Sequence, residues 1–123
     1  MTDGRQPARP EIKPFCPYYG AAMSLLSKRW AGEILRALVV GPMRFGDFAA
    51  TIPGITDRVL SQRLKDLEAA ELVSREVQPS TPVRIDYRLT PGGEALGAVL
   101  LHLNGWALKW ITVPGDRSHD RGS

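Results

Sequence analysis

The sequence predicts a mostly α domain carrying one small β-hairpin, an α+β chain, on three observations. Apolar residues recur at helical spacing in four short segments before about residue 70, and the period changes to two between 72 and 89. A Thr-Pro pair at 90–91 then reopens helical spacing as far as Trp110. The predicted order is four helices, a hairpin and one longer helix.

Each element has its own signal. Pro17 suits the first turn of helix 1, where Tyr19, Met23 and Leu26 share a face, and Ser27-Lys28-Arg29 breaks it. Trp30, Ile34, Leu35 and Leu38 mark helix 2, which Gly41-Pro42 must end because proline neither donates to nor fits inside the ladder. Met43-Arg44 reads as a very short strand. Phe45, Phe48, Ala49 and Ile52 mark helix 3, closed by the Pro53-Gly54 turn, and Thr56 is a good N-cap for helix 4. Val73, Arg75 and Val77 alternate with Ser74, Glu76 and Gln78, and Val83, Ile85, Tyr87 and Leu89 alternate with Arg84, Asp86 and Arg88. Pro79-Ser80-Thr81-Pro82 makes a stiff polar tip between these strands.

Composition narrows the function. With 123 residues and 43% of them apolar, the chain can bury one core. No apolar run approaches the roughly 18 residues needed to cross a bilayer, so no membrane partner is expected. The N-terminus lacks the apolar stretch of a signal peptide, which points to a reducing cytoplasm. Residues 1–14 and 113–123 read as disordered tails around a single domain over 15–112. One cysteine and two histidines form no metal-ligand set, and neither G-x-G-x-x-G nor a phosphate-loop motif occurs, so no cofactor is expected. Asp47, Asp57, Asp66 and Glu68 have no His or Cys partner at useful spacing, which makes an enzyme the weakest reading. The formal charge of +3 permits a polyanionic partner without demanding one.

Two short helices joined by a Pro-Gly turn and followed by a hairpin describe a winged helix-turn-helix, whose test is the outward face of helix 4. With Leu60 at zero and about 100° per residue, Leu64 and Leu67 fall within roughly 40° of it, while Arg58, Ser61, Gln62 and Lys65 fall at roughly 100–200°. Arg and Lys can bond guanine acceptors, Gln can pair bidentately with adenine and Ser can serve either, so this face can read major-groove edges. A solvated helix face looks the same. The hairpin tilts the choice toward duplex DNA, because Arg84 lies near a tip long enough to reach a minor groove or phosphates. Lys28, Arg44 and the capping Thr56 are further candidates, whereas Arg75 either touches DNA or pairs with Asp86 or Glu76. The competing class is a winged helix used as a protein-interaction module, which needs an apolar front on helix 4.

In order along the chain stand Cys16-Pro17, Lys28-Arg29-Trp30, Gly41-Pro42-Met43-Arg44-Phe45, Leu60-Ser61-Gln62-Arg63-Leu64-Lys65-Asp66-Leu67-Glu68 and Tyr87-Arg88-Leu89-Thr90. In this the segment from Cys16 to Trp110 resembles the HxlR-type transcriptional regulators of bacteria, relatives of the MarR group. The resemblance implies a dimeric winged-helix DNA-binding protein with helix 56–69 in the major groove and 72–89 as the wing. Glu71 departs from it, standing where the family usually has glycine, and costs favourable turn geometry if that position needs positive φ.

Dimerisation has its own argument. Leu96, Val99, Leu100, Leu103, Ala107 and Trp110 form one apolar stripe on the last helix, expected to face the core, while Leu101 and Leu108 repeat on another face. Tyr18, Ala21 and Leu25 form a second face on helix 1. The spare stripes fit a homodimer, with Tyr18, Leu25, Leu101 and Leu108 at its interface, or a small domain that wraps both faces internally. Cys16 stands at a helix start, where free N–H groups favour an anion, so it is a candidate redox sensor for an oxidant effector. The favoured expectation is a buried structural cysteine. A small-molecule effector between the terminal helices is the other route to regulation.

Overall fold

The computed structural model describes residues 12–115, and the tails expected to be disordered lie almost wholly outside them. The elements are α1 (Pro17–Leu26), α2 (Ala31–Val39), α3 (Phe45–Thr51), α4 (Asp57–Ala69), β1 (Val73–Gln78), β2 (Arg84–Leu89) and α5 (Pro91–Trp110). The predicted order and class hold. Proline at the first turn opens α1 and α5, and Thr56 and Thr90 cap α4 and α5, their hydroxyls accepting from the backbone N–H of Val59 and Gly93. β1 and β2 pair antiparallel from Val73 opposite Leu89 to Gln78 opposite Arg84. Met43 is the short strand the sequence suggested, reduced to one bridge in which it and Tyr87 exchange backbone hydrogen bonds of 2.9 and 2.8 Å.

The core lies where α2, α3, α4 and the hairpin meet. Ile34, Leu35, Phe48, Leu60, Leu64 and Leu67 are its fully buried large side chains, and the Phe48 ring meets Tyr87 edge-on at 6.2 Å. The end of α4 then aims the chain into the wing. Glu71 N–H bonds Glu68 C=O at 2.9 Å and Leu72 N–H bonds Leu67 C=O at 3.0 Å, the paired bonds of a Schellman ending. That ending needs a left-handed residue, and Glu71 has φ 60°. The strain suspected from its glycine-like position is real. Thr90 holds the same corner from the other side, its Oγ1 donating to Glu71 C=O at 2.6 Å and its N–H to Leu72 C=O at 3.1 Å.

Two expectations about the terminal helices need correction. On α5 the buried positions are Gly93, Gly97 and Leu100, with Leu96, Asn104 and Ala107 half-buried, while Val99, Leu103 and Trp110 are 55–60% exposed. Glycine sets the inward face because the backbones nearly touch. A Cβ at Gly93 would stand 2.0 Å from Leu72 O, and one at Gly97 2.7 Å from Val39 Cγ2. A face chosen by apolar bulk alone is therefore rotated from the true one. On α1 no residue is buried: Tyr18, Tyr19 and Met23 are exposed, and Leu25, expected to point outward, is half-buried against the core beside Leu26.

Replacing Glu71 by glycine removes a left-handed cost of about 1–2 kcal/mol and adds about 0.5–1 kcal/mol of chain entropy. A net gain of about 0.5–1 kcal/mol is expected, raising Tm by several degrees in thermal unfolding, whereas Glu71→Ala gains nothing.

Candidate nucleic-acid interface

The α3–turn–α4 unit is held from inside. Phe48, Ile52 and Ile55 are buried on either side of Pro53-Gly54, and Leu60, Leu64 and Leu67 seat the back of α4. The helix can therefore take only one rotation, and it leaves Arg58, Gln62 and Lys65 exposed together. Thr56 is exposed at the start of that face. Ser61, expected at the front, is half-buried toward its edge.

Behind the front lies a polar node that sequence reasoning missed. Asp66 accepts from Gln62 Nε2 on Oδ1 at 3.0 Å and from Arg63 Nη1 on Oδ2 at 3.0 Å, and Lys28 Nζ stands 3.7 Å from the same Oδ2. Arg63 also donates through Nε to Arg29 C=O at 2.8 Å, which ties α4 to the α1–α2 connection. There Trp30 holds φ 72°, with the Arg29 guanidinium 4.7 Å from its ring centroid. The missed signal was rotational. Arg63 falls about 60° from Leu60, at the margin of the buried stripe, where a cation needs a partner. Burial pushes Asp66 upward, but the hydrogen bond from Gln62, the charge of Lys28, and the hydrogen bond and charge of Arg63 outweigh it and hold the carboxyl below its ordinary value. Lys28 is thus drawn toward Asp66, though its side chain stays 45% exposed.

On the wing, register sets Glu76 directly opposite Asp86, an unfavourable pairing of like charges. Two arginines relieve it: Arg84 Nε donates to Asp86 Oδ1 at 3.1 Å and Arg88 Nε to Glu76 Oε1 at 3.0 Å. Arg75 takes neither carboxylate. It lies opposite Tyr87 and is exposed. Arg44 precedes α3, its backbone N–H donating to Asp47 Oδ2 at 2.9 Å, and its exposed side chain shares a cleft with Arg84 and the wing tip. Arg44 and Arg84 are thereby brought together, whereas Arg58, Gln62 and Lys65 form a separate group on α4.

The terminal helices leave a different surface. An open groove of about 420 Å³ between α2 and α5 is lined by Leu100, Leu103, Ala107, Leu108, Ile111 and neighbouring groups, with Arg36 Nε bonded to Asn104 Oδ1 at its wall. Leu101 is 41% and Leu108 59% exposed. Cys16, expected to be buried, is exposed at the N-cap of α1, a helix that lies on the surface with no buried residue of its own. Among the described residues no group of three His, Cys, Asp or Glu side chains is placed to hold a metal ion. No helix among them is long and apolar enough to cross a membrane.

A helix-turn-helix with a polar outward helix and an arginine-bearing hairpin behind it defines a winged-helix regulator of transcription. The model of the HxlR-like helix-turn-helix family matches residues 25–114, and the chain belongs to that family. It is 46% identical over 101 residues to the HTH-type transcriptional regulator YodB of Bacillus subtilis, covering 82% of this chain and 89% of that protein. The reduced form of B. subtilis YodB superposes with a TM-score of 0.71 at 46% identity, over 83% of this chain and 99% of that one. The redox regulator HypR in its oxidized form superposes with a TM-score of 0.74 at 31% identity, over 80% of this chain and 100% of that one. These relatives are regulators, not enzymes, and the chain is a DNA-binding transcriptional regulator.

Because the folded Asp66 value is depressed, its stabilisation is complete above the unfolded value and is lost as pH falls through the folded one. Asp66→Asn is expected to cost about 1 kcal/mol at pH 7 in denaturant unfolding, and the gap to the unsubstituted protein should close below about pH 4.

Proposed function

We propose that the protein is a homodimer that binds an inverted-repeat operator, with α4 in the major groove and the β1–β2 hairpin as wing, and represses transcription from the nucleoid in the cytoplasm. The observation that carries this is the rotation of α4: its leucines are locked inside, so Arg58, Gln62 and Lys65 stand on one exposed face with the donors and acceptors that base edges require. An interaction module would need an apolar front there, and these three side chains deny it one. Thr56 and Ser61 flank that face, and Arg44, Arg84 and Lys28 are the further phosphate or groove contacts of this reading. Repression follows most simply from occupancy, since a dimer covering two half-sites excludes other proteins from that duplex.

Selection of bound fragments from random duplex DNA is expected to enrich an inverted repeat, with half-site centres about 10 bp apart or a multiple of that. Arg58→Ala or Gln62→Ala should weaken specific binding by about 1–3 kcal/mol and relax one base position, while Arg84→Ala should act evenly across sequences. If Arg58→Ala lowers affinity for operator and random DNA equally, Arg58 is a phosphate contact instead.

Support for the dimer comes from the uncovered apolar surface. A ten-residue helix with no buried residue is marginal alone in water, and α1 exposes Tyr18, Tyr19 and Met23 while α5 exposes Leu101, Leu103, Trp106 and Leu108. The proposed interface takes in Tyr18, Leu101 and Leu108, with Leu25 at its inner edge. Leu101→Glu or Leu108→Glu should weaken association by about 2 kcal/mol or more and yield folded monomers by light scattering. A dimer of unchanged size would show that another surface pairs.

Cys16 supports control by an oxidant or electrophile, a reading favoured by its exposure and by the similarity to YodB in a reduced form and to the redox regulator HypR in its oxidized form. With one cysteine per chain, the product is an intersubunit disulfide, a mixed disulfide or an alkylated thiol. A quinone or hypochlorite should change DNA affinity in the unsubstituted protein and not in Cys16→Ser. Equal responses would leave regulation to a ligand in the α2–α5 groove or to protein abundance.

A further inference from the structure

We infer that Asp66 is a positioning residue for base readout, fixing which polar atoms Gln62 presents to the major groove. The inference rests on α4 being the DNA-facing helix.

Gln62 is one helical turn before Asp66, and its amide nitrogen donates to Asp66 Oδ1 at 3.0 Å. A carboxylate accepts and cannot donate, so this bond distinguishes the two ends of an amide that would otherwise be free to turn over. The nitrogen is held back toward Asp66. Its second N–H and the carbonyl Oε1 remain for a ligand, one donor and one acceptor side by side. Adenine offers the complementary pair in the major groove, an N6 donor and an N7 acceptor, whereas guanine offers two acceptors there and would need two donors. Gln62 held in this way favours adenine.

Asp66 is itself held. Its other oxygen takes Arg63 at 3.0 Å and faces Lys28 at 3.7 Å, and Arg63 is anchored on Arg29 C=O at 2.8 Å, so the carboxylate cannot rotate away without breaking the link from α4 to the α1–α2 connection. The Asp66 side chain is only 18% exposed, lying behind the front it serves. Its negative charge is balanced locally by two cations and presents little repulsion to phosphate. Removing it therefore separates two effects: selectivity at one base pair depends on the orientation of Gln62, and affinity for any duplex depends on the surrounding cations.

The test uses the full chain, the fragment selected from random duplexes, the same fragment with the Gln62-dependent A·T pair changed to G·C in each half-site, and an unrelated duplex. Asp66→Asn is expected to lower the preference for the selected fragment over its changed form by about fivefold. Binding to the unrelated duplex should stay level or tighten, because Lys28 is released. In a Gln62→Ala background the same substitution should cost no further selectivity, since Asp66 acts through Gln62. Asp66→Ala removes the acceptor while favouring the helix, and should repeat the result if Asp66→Asn folds poorly. Unchanged selectivity in both variants, or an equal loss in the Gln62→Ala background, overturns the assignment of Asp66 alone. If the unsubstituted protein selects no sequence, the operator-binding reading falls, and this inference with it.

Discussion

Burial of Leu60, Leu64 and Leu67 against Phe48 and the α2 side chains is the constraint on which the rest of the molecule depends. Each is essentially inaccessible, and removing one would cost about 2–5 kcal/mol. Rotating α4 by one residue, about 100°, would pull this stripe from the core and bring charged side chains into it. The outer face of α4 is therefore chosen by what the inner face must bury. The same burial sets the position of the last turn, hence the Schellman ending at Glu71, the direction of β1 and the height of the wing.

Much of this was legible in the sequence because it rests on local rules. Prolines and threonines at helix starts, the change of period at Leu72 and the Pro-Gly turn each act within a few residues, and each element lies where they put it. The α4 face was legible for a related reason: its leucines and its polar residues are separated so cleanly by angle that one implies the other. Errors gathered where contact replaces periodicity. On α5 the inward positions belong to Gly93 and Gly97, because neighbouring backbone and Val39 leave no room for a side chain, so the bulky Val99 and Leu103 turn outward. No hydrophobicity argument ranks glycine as a core residue. The Asp66 node was missed for another reason, since Lys28 and Asp66 are brought together where the α1–α2 connection meets α4 and by nothing in their spacing.

The two halves of the candidate interface handle charge differently. On α4 the cations Arg58 and Lys65 stand exposed on the front while Arg63 is consumed by structure. The terminal helices add a third arrangement, in which apolar side chains at the surface greatly outnumber charges. Among the described residues nothing covers the outer faces of α1 and α5, where Tyr18, Tyr19, Leu101 and Leu108 are exposed. The groove between α2 and α5 and the N-cap at Cys16 each lie on an exposed face of these helices.

The wing carries a consequence for how a polyanion would be held. Arg84 and Arg88 already have counterions, but these are carboxylates of the same chain, covalently unable to diffuse away. A phosphate that engages either arginine exchanges one anion for another and leaves Asp86 or Glu76 to be hydrated beside it. Fewer small ions are then released to the bulk than the number of arginines touched, so affinity falls less steeply with added salt than a count of cations implies. The hairpin behaves as a buffered contact, weak in dilute electrolyte relative to its charge and comparatively insensitive as electrolyte concentration rises.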